Sequence, residues 1–223
     1  ARGDRVAVLA TNEFETHFLF FALARLGAIL VPINFRLAPR EVEHILADAD
    51  PKLLLHQTEF SQAISQATLA TIESKWSFEG AQGFQGFFKD CEAKNQNFTK
   101  IDFQAEFTDP CMILYTSGTT GMPKGAMIAQ SCMMGALNDT SIVIEGMAWE
   151  GDELLSFLPM SHLFGRFESY TPYVQGFIQS FAESIDTILS NMQEVKPTLF
   201  MSVPRIFEKA YTRIMEMVNN DSS

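Results

Sequence analysis

Apolar positions along this chain switch repeatedly between a short continuous run and a helical spacing. Arg5 to Ala10 reads as a strand, and Asn12 is placed to cap the helix that follows it. That helix carries Phe14, Phe18, Phe21, Ala22 and Arg25 toward a stop at Gly27, and its phenylalanines, Phe20 included, are expected in the core. Ile29 to Pro32 reads as a second strand. Pro39 suits the first turn of a helix whose Val42, Ile45, Leu46 and Ala49 form one apolar stripe. Asp50-Pro51 ends it, and Lys52 to His56 reads as a third strand. Strand, helix, strand, helix, strand is the rhythm of a parallel sheet covered by helices.

From 71 to 108 the pattern weakens. Gly80, Gly83 and Gly86 interrupt it, only Phe87 to Ala93 looks helical, and the stretch reads as a connection within the domain. The alternation returns after Asp109-Pro110, with a buried strand at Cys111 to Tyr115 and another at Leu154 to Leu158. Ser184 is placed to cap a helix bearing Ile185, Ile188, Leu189, Met192 and Val195. Thr198 to Ser202 reads as a strand, and Pro204 opens a last helix with an apolar stripe from Ile206 to Val218. On its polar face Arg205 and Glu208 are spaced to pair. The fold class is α/β, with mostly parallel sheets flanked by helices.

Composition agrees: 47% of the residues are hydrophobic and 20 are phenylalanine, enough apolar volume for a core. The net charge of −11 argues against nucleic acid as a partner, because phosphates need a basic face. Cys91, Cys111 and Cys132 show no metal or redox spacing and suit reduced thiols inside a cell. The chain opens directly into a strand without a signal peptide, and its longest apolar stretch, Phe18 to Ala24, is too short to span a bilayer. A soluble cytoplasmic protein is expected, touching a membrane at most at its surface.

The informative string is Tyr115-Thr116-Ser117-Gly118-Thr119-Thr120-Gly121-Met122-Pro123-Lys124-Gly125. It follows a buried strand, where a loop reaches the carboxyl edge of a parallel sheet. Its hydroxyls are short donors, its glycines let the backbone approach a ligand, and Lys124 adds a positive charge. Charge-assisted hydrogen bonds contribute roughly 1.5–3 kcal/mol each, so a few of them hold a triphosphate. The helix-opening phosphate loop, the dinucleotide fingerprint and the nucleophile elbow all fail to fit this string.

Thr116 to Gly125 resembles the signature loop of the adenylate-forming superfamily, which includes acyl-CoA synthetases, luciferases and peptide-synthetase adenylation domains. Gly27 to Asn34, with Arg36-Leu37 and Glu41-Val42, is similar to that family's early segment. Leu158 to Arg166 (LPMSHLFGR) and Val203 to Lys209 (VPRIFEK) resemble segments of the long-chain acyl-CoA synthetases. The resemblance implies an incomplete large AMP-binding domain over 1–223. It implies activation of a long-chain fatty acid with ATP and Mg2+, and transfer to coenzyme A. Residues 116–121 and Lys124 would hold the phosphates (Thr116, Ser117, Gly118, Thr119, Thr120, Gly121), with Thr116 also at the metal. Lys124 and His162 would be catalytic, His162 lying beside the carboxylate and adenylate.

Arg166 and Glu168 follow His162 at a helix start, where charges are usually solvated or paired. His17, His44 and His56 have no motif around them and read as structural. The family's later motifs, its hinge and its C-terminal small domain have no counterpart, and both ends read as cut. A trimmed sheet would expose apolar edges and favour self-association, so a homo-oligomer is kept open. Two other readings stay open: an adenylate-former for an aryl, medium-chain or amino acid, and a silent nucleotide- or acyl-binding module.

Overall fold

The computed structural model describes residues 1–12, 14–78, 82–94, 104–116, 121–208, 211, 212 and 215. Strands β1 (Arg5–Leu9), β2 (Ile29–Ile33) and β3 (Leu53–Gln57) alternate with helices α1 (Glu15–Leu26) and α2 (Pro39–Ala49). A short 3-10 turn (Thr58–Ala63) and α3 (Gln66–Thr71) lead to β4 (Ser74–Phe78), and α4 (Gln82–Lys94) follows. Then come β5 (Pro110–Thr116), β6 (Lys124–Ala129), α5 (Gln130–Ile144), β7 (Glu153–Ser156), α6 (Leu163–Gln175), β8 (Ile178–Phe181) and α7 (Ile188–Val195). The first sheet has the order β4-β3-β1-β2-β5-β6 and the second is β7-β8. Every pairing is parallel except the antiparallel β5–β6. The expected α/β class with a mostly parallel, helix-flanked sheet is observed.

The central strands are apolar throughout because both faces are covered. Val6, Val8, Leu30, Leu55 and Met112 face one way, against Leu19, Phe20 and Leu23 of α1 and Tyr170 of α6. Ala7, Leu9, Val31, Ile33 and Leu54 face the other, against Val42, Ile45, Leu46 and Ala49 of α2. The stripe read on α2 is the face it buries, and Pro39 stands in its first turn. Gly27 ends α1 in the left-handed conformation at φ 67°.

Several expectations change. Asn12 does not cap α1: the helix starts after Phe14 without a side-chain cap, and the Asn12 amide bonds to the Leu158–Met160 backbone instead. Ser184 does not cap α7, whose N-cap is Thr187; the two hydroxyls bond each other. Thr198 to Ser202 forms only a bridge, Leu199 with Leu154, not a strand. Arg205 and Glu208 are exposed and form no ion pair among the described residues. The stretch 71–108 holds β4 and the whole of α4.

The α1 phenylalanines divide: Phe20 is buried, whereas Phe14, Phe18 and Phe21 are 47%, 51% and 43% exposed. Thr16 and His17 take the inward positions instead. A helix that is apolar nearly all round carries no stripe to say which side faces in. Of the last helix, residues 204–208 are helical, and Ala210, Ile214 and Val218 lie outside the described residues.

Leu54 is fully buried and Met127 on β6 is 73% exposed. Leu54→Ala is expected to cost about 2–5 kcal/mol and Met127→Ala close to nothing. Urea midpoints check this; equal losses would mean that the two-faced core is misassigned.

Candidate functional site

The strand β5 delivers Thr116 to the carboxyl edge of the sheet, and the return strand β6 begins at Lys124. Thr116 faces Lys124 and Tyr115 faces Gly125 across the ladder. The phosphate-loop string therefore closes a β-hairpin, and Lys124 and Gly125 stand on its outgoing strand rather than in the loop. Ser117, Gly118, Thr119 and Thr120 lie outside the described residues. Gly121 has φ 118°, which side-chain-bearing residues rarely adopt.

Helix α2 holds this hairpin at two points. The Tyr115 hydroxyl donates to Asp48 Oδ2 at 2.6 Å, and His44 Nε2 donates to the Pro123 carbonyl at 3.0 Å. Burial and the Asp48 carboxylate hold the Tyr115 phenol well above its usual range. Gly125 serves packing: a Cβ there would lie 2.8 Å from Ile113 Cγ2 and 3.0 Å from the Tyr115 ring. Lys124 is exposed and has no ion-pair partner among the described residues, so its charge is available to an anion. Beside it is a cavity of about 440 Å³ lined by His44, Asp48, Met122, Pro123, Lys124 and Gly125.

His162 is exposed and occupies the N-cap position of α6. Asn34, just past β2, donates from Nδ2 to His162 Nε2 at 3.3 Å, and its Oδ1 accepts the Arg36 N–H at 3.0 Å. That second bond orients the amide, and the first leaves the proton of a neutral imidazole on Nδ1. The parallel register brings His162 and the hairpin to one edge. Leu30 of β2 pairs with Met112 of β5; Asn34 is four residues past the first (34 − 30) and Thr116 four past the second (116 − 112). The two therefore stand level on neighbouring strands, which are roughly 5 Å apart.

Between the carboxyl ends of the two sheets lies a cleft of about 550 Å³, bordered by Thr11, Asn12, Phe35, Arg36, Phe157 and Phe181 among others. Its lining sets the rings of Phe35, Phe157 and Phe181 beside one arginine, Arg36, and two acids, Glu183 and Asp186, so its aromatic wall suits an apolar group.

Arg166 and Glu168 are 2% and 1% exposed, so they are not solvated, and neither forms an ion pair among the described residues. They lie in the part of α6 that packs against α1 and the turn after β7, which leaves no solvent-facing position for them. Arg166 donates through Nε to the Met160 carbonyl and through Nη1 to the Tyr170 hydroxyl at 3.0 Å. Neither Glu168 oxygen has a hydrogen-bond partner among the described residues. Burial pushes its pKa up to about 8, and the Leu158 backbone opposes this only in part, without reaching hydrogen-bond geometry. His17 is buried, with Nε2 3.1 Å from the Ser169 carbonyl; burial and Arg166 push its pKa down to about 4, keeping it neutral. The sequence reading took His44 as structural, which its bond to Pro123 fits, and missed the roles of Asn12 and Asn34. Only their positions after strands could have hinted at these.

No three His, Cys, Asp or Glu side chains converge on a metal-sized site among the described residues, and no described helix is long and apolar enough to cross a membrane. All three cysteines are free thiols.

A mostly parallel α/β sheet thus brings Thr116 and Lys124 to one edge, with His162 beside Asn34 at the same edge. The model of the AMP-binding enzyme family matches residues 1–221, and the chain belongs to that family. It is 30% identical over 218 residues to the long-chain-fatty-acid–CoA ligase FadD15 of Mycobacterium bovis, covering 94% of this chain and 36% of that protein. It is 27% identical over 209 residues to a feruloyl-CoA synthase of Amycolatopsis, covering 92% of this chain and 40% of that protein. The inhibitor-bound N-terminal domain of FACL13 from Mycobacterium tuberculosis superposes with a TM-score of 0.78 at 26% identity, covering 93% of this chain and 52% of that one. The chain thus spans little more than a third of the length of the curated relatives it matches.

Two consequences are measurable. Gly125→Val should push Tyr115 off Asp48 and cost about 1–3 kcal/mol; an unchanged melting temperature would contradict the close packing. For Glu168, the folded pKa near 8 lies above the ordinary value of 4.5, so the folded state holds the extra proton across that window. Stability from this group is complete below pH 4.5 and falls by roughly 1 kcal/mol per pH unit up to pH 8. Glu168→Gln should therefore stabilise the protein clearly at pH 8 and hardly at pH 5. Equal melting shifts at the two pH values would mean that the carboxylate is paired or hydrated.

Proposed function

We propose that this chain carries the phosphate-binding and carboxylate-binding parts of the active site of a long-chain fatty acid–CoA ligase that works through an acyl-adenylate. The observation that carries the reading is the shared edge: Thr116 and Lys124 end one hairpin, and His162 reaches the level neighbouring strand through Asn34. The likeness to the Mycobacterium ligase supports the substrate class, though only over part of that protein's length.

In the first step a carboxylate oxygen of the fatty acid attacks the α-phosphorus of ATP. The bond from that phosphorus to the bridging oxygen breaks, and pyrophosphate leaves. Lys124 and the hydroxyls from Thr116 onward stabilise the charge that grows on the leaving phosphates. In the second step the coenzyme A thiol attacks the acyl carbon, loses its proton, and AMP departs. His162 orients the carboxylate, and the aromatic cleft between the sheets receives the head of the acyl chain. Mg2+, bound with the nucleotide, would neutralise phosphate charge next to the Thr116 hydroxyl; a magnesium ion takes few protein ligands besides the phosphates. An aryl acid is the second reading, favoured by the similarity to the feruloyl-CoA synthase.

Pyrophosphate exchange on the longest protein its gene encodes tests this reading. Palmitate should outcompete acetate and benzoate, and Lys124→Ala should lower exchange by roughly 100-fold or more while Arg205→Ala leaves it near wild type. A preference for benzoate, or similar losses at the two positions, would contradict the reading.

A further inference from the structure

Side chains from two directions bond three backbone groups of the turn that presents His162. From the end of β1, Asn12 Nδ2 donates to the Leu158 carbonyl at 2.8 Å, and Asn12 Oδ1 accepts the Met160 N–H at 3.0 Å. These two backbone groups flank Pro159. A residue on a parallel neighbouring strand bonds the same pair, the carbonyl before and the N–H after the residue opposite. One side-chain amide thus acts as the missing strand neighbour of a proline that has no N–H to offer.

From within α6, Arg166 Nε donates to the Met160 carbonyl. The His162 N–H donates to the Pro159 carbonyl at 3.0 Å, and the Arg166 N–H to the His162 carbonyl at 3.0 Å. Gly165 lets α6 rest on this turn, since a Cβ there would collide with the Pro159 carbonyl. Arg166 forms no ion pair among the described residues. Its buried charge is matched by acceptors on the turn and on Tyr170, so its position is tied to theirs.

We propose that Asn12 and Arg166 are positioning residues for His162. Asn12 fixes the turn to the first sheet, Arg166 fixes it to α6, and together they set where the imidazole stands relative to Asn34 and the hairpin. Arg166 does not line the cleft between the sheets; Asn12 borders it, and its role here is through the turn, which the His162 ring spectra read directly. The inference rests on the reading of His162 as the group that orients the carboxylate. Removing either bond pattern shifts His162 without moving Lys124, whose hairpin is held separately by α2, through Asp48 on the Tyr115 hydroxyl and His44 on the Pro123 carbonyl.

The test uses the full-length protein. Asn12→Ala should raise the KM for the fatty acid in pyrophosphate exchange roughly tenfold or more, with the KM for ATP unchanged. Arg166→Lys, which keeps a charged donor for Met160, should be less affected than Arg166→Met. The buried Arg166 variants carry a risk of not folding that the half-buried Asn12 variant avoids. In the same Asn12→Ala protein, the carbon-bound ring protons of His162 should shift and broaden in NMR spectra, while those of His56 on β3 stay put. An unmoved His162 signal overturns the proposal, as does an equal rise in the KM for ATP. If the wild-type protein shows no exchange with any carboxylic acid, the functional reading fails, and the ring spectra still decide the positioning role.

Discussion

Parallel pairing constrains this molecule more than any single contact. Strands that run the same way must each be re-entered from the same end, so every strand-to-helix turn falls along one edge. In the first sheet that edge carries Thr11 after β1, Asn34 after β2 and Thr116 at the end of β5. The single antiparallel return, β6, stands at the border of the sheet and begins at Lys124 on the same edge. A hydroxyl, an amide and a lysine from distant parts of the sequence are thereby aligned without any bond between them.

The second, smaller sheet must meet this edge at a fixed place, and polar side chains carry out that docking. Asn12 bonds the backbone after β7, and Arg166 and Tyr170 sit buried where α6 faces α1. Apolar packing alone has little orientation, whereas a two-point amide bond sets both distance and angle. The cost falls on Glu168, whose pKa burial pushes up to about 8 and whose oxygens have no hydrogen-bond partner among the described residues. Polar groups at this junction trade stability for a defined geometry.

Much of the fold was legible because β1, β2, β3 and β5 are buried on both faces and read as unbroken apolar runs. Edge strands gave weaker signals. In β4, Ser74 to Phe78, only Phe78 is buried, and β6 has no buried residue. The α1 phenylalanines misled because both sides of the helix are apolar. The burial of Arg166 and Glu168 was not legible because charged residues are rarely fully buried. Of the site, the hairpin string was legible from its residue order alone. Asn12 was not, since an asparagine between a strand and a helix looks like a cap whether or not its amide turns toward a distant turn.

The central claim is that this edge joins a carboxylate oxygen to the α-phosphorus of ATP. The most direct test follows that oxygen. The full-length protein would be given palmitate labelled with heavy oxygen in its carboxylate, with ATP and coenzyme A, and the products analysed by mass spectrometry. The account predicts one labelled oxygen in AMP and none in pyrophosphate. Label in inorganic phosphate with ADP as the other product, or no label in any nucleotide product, would contradict it.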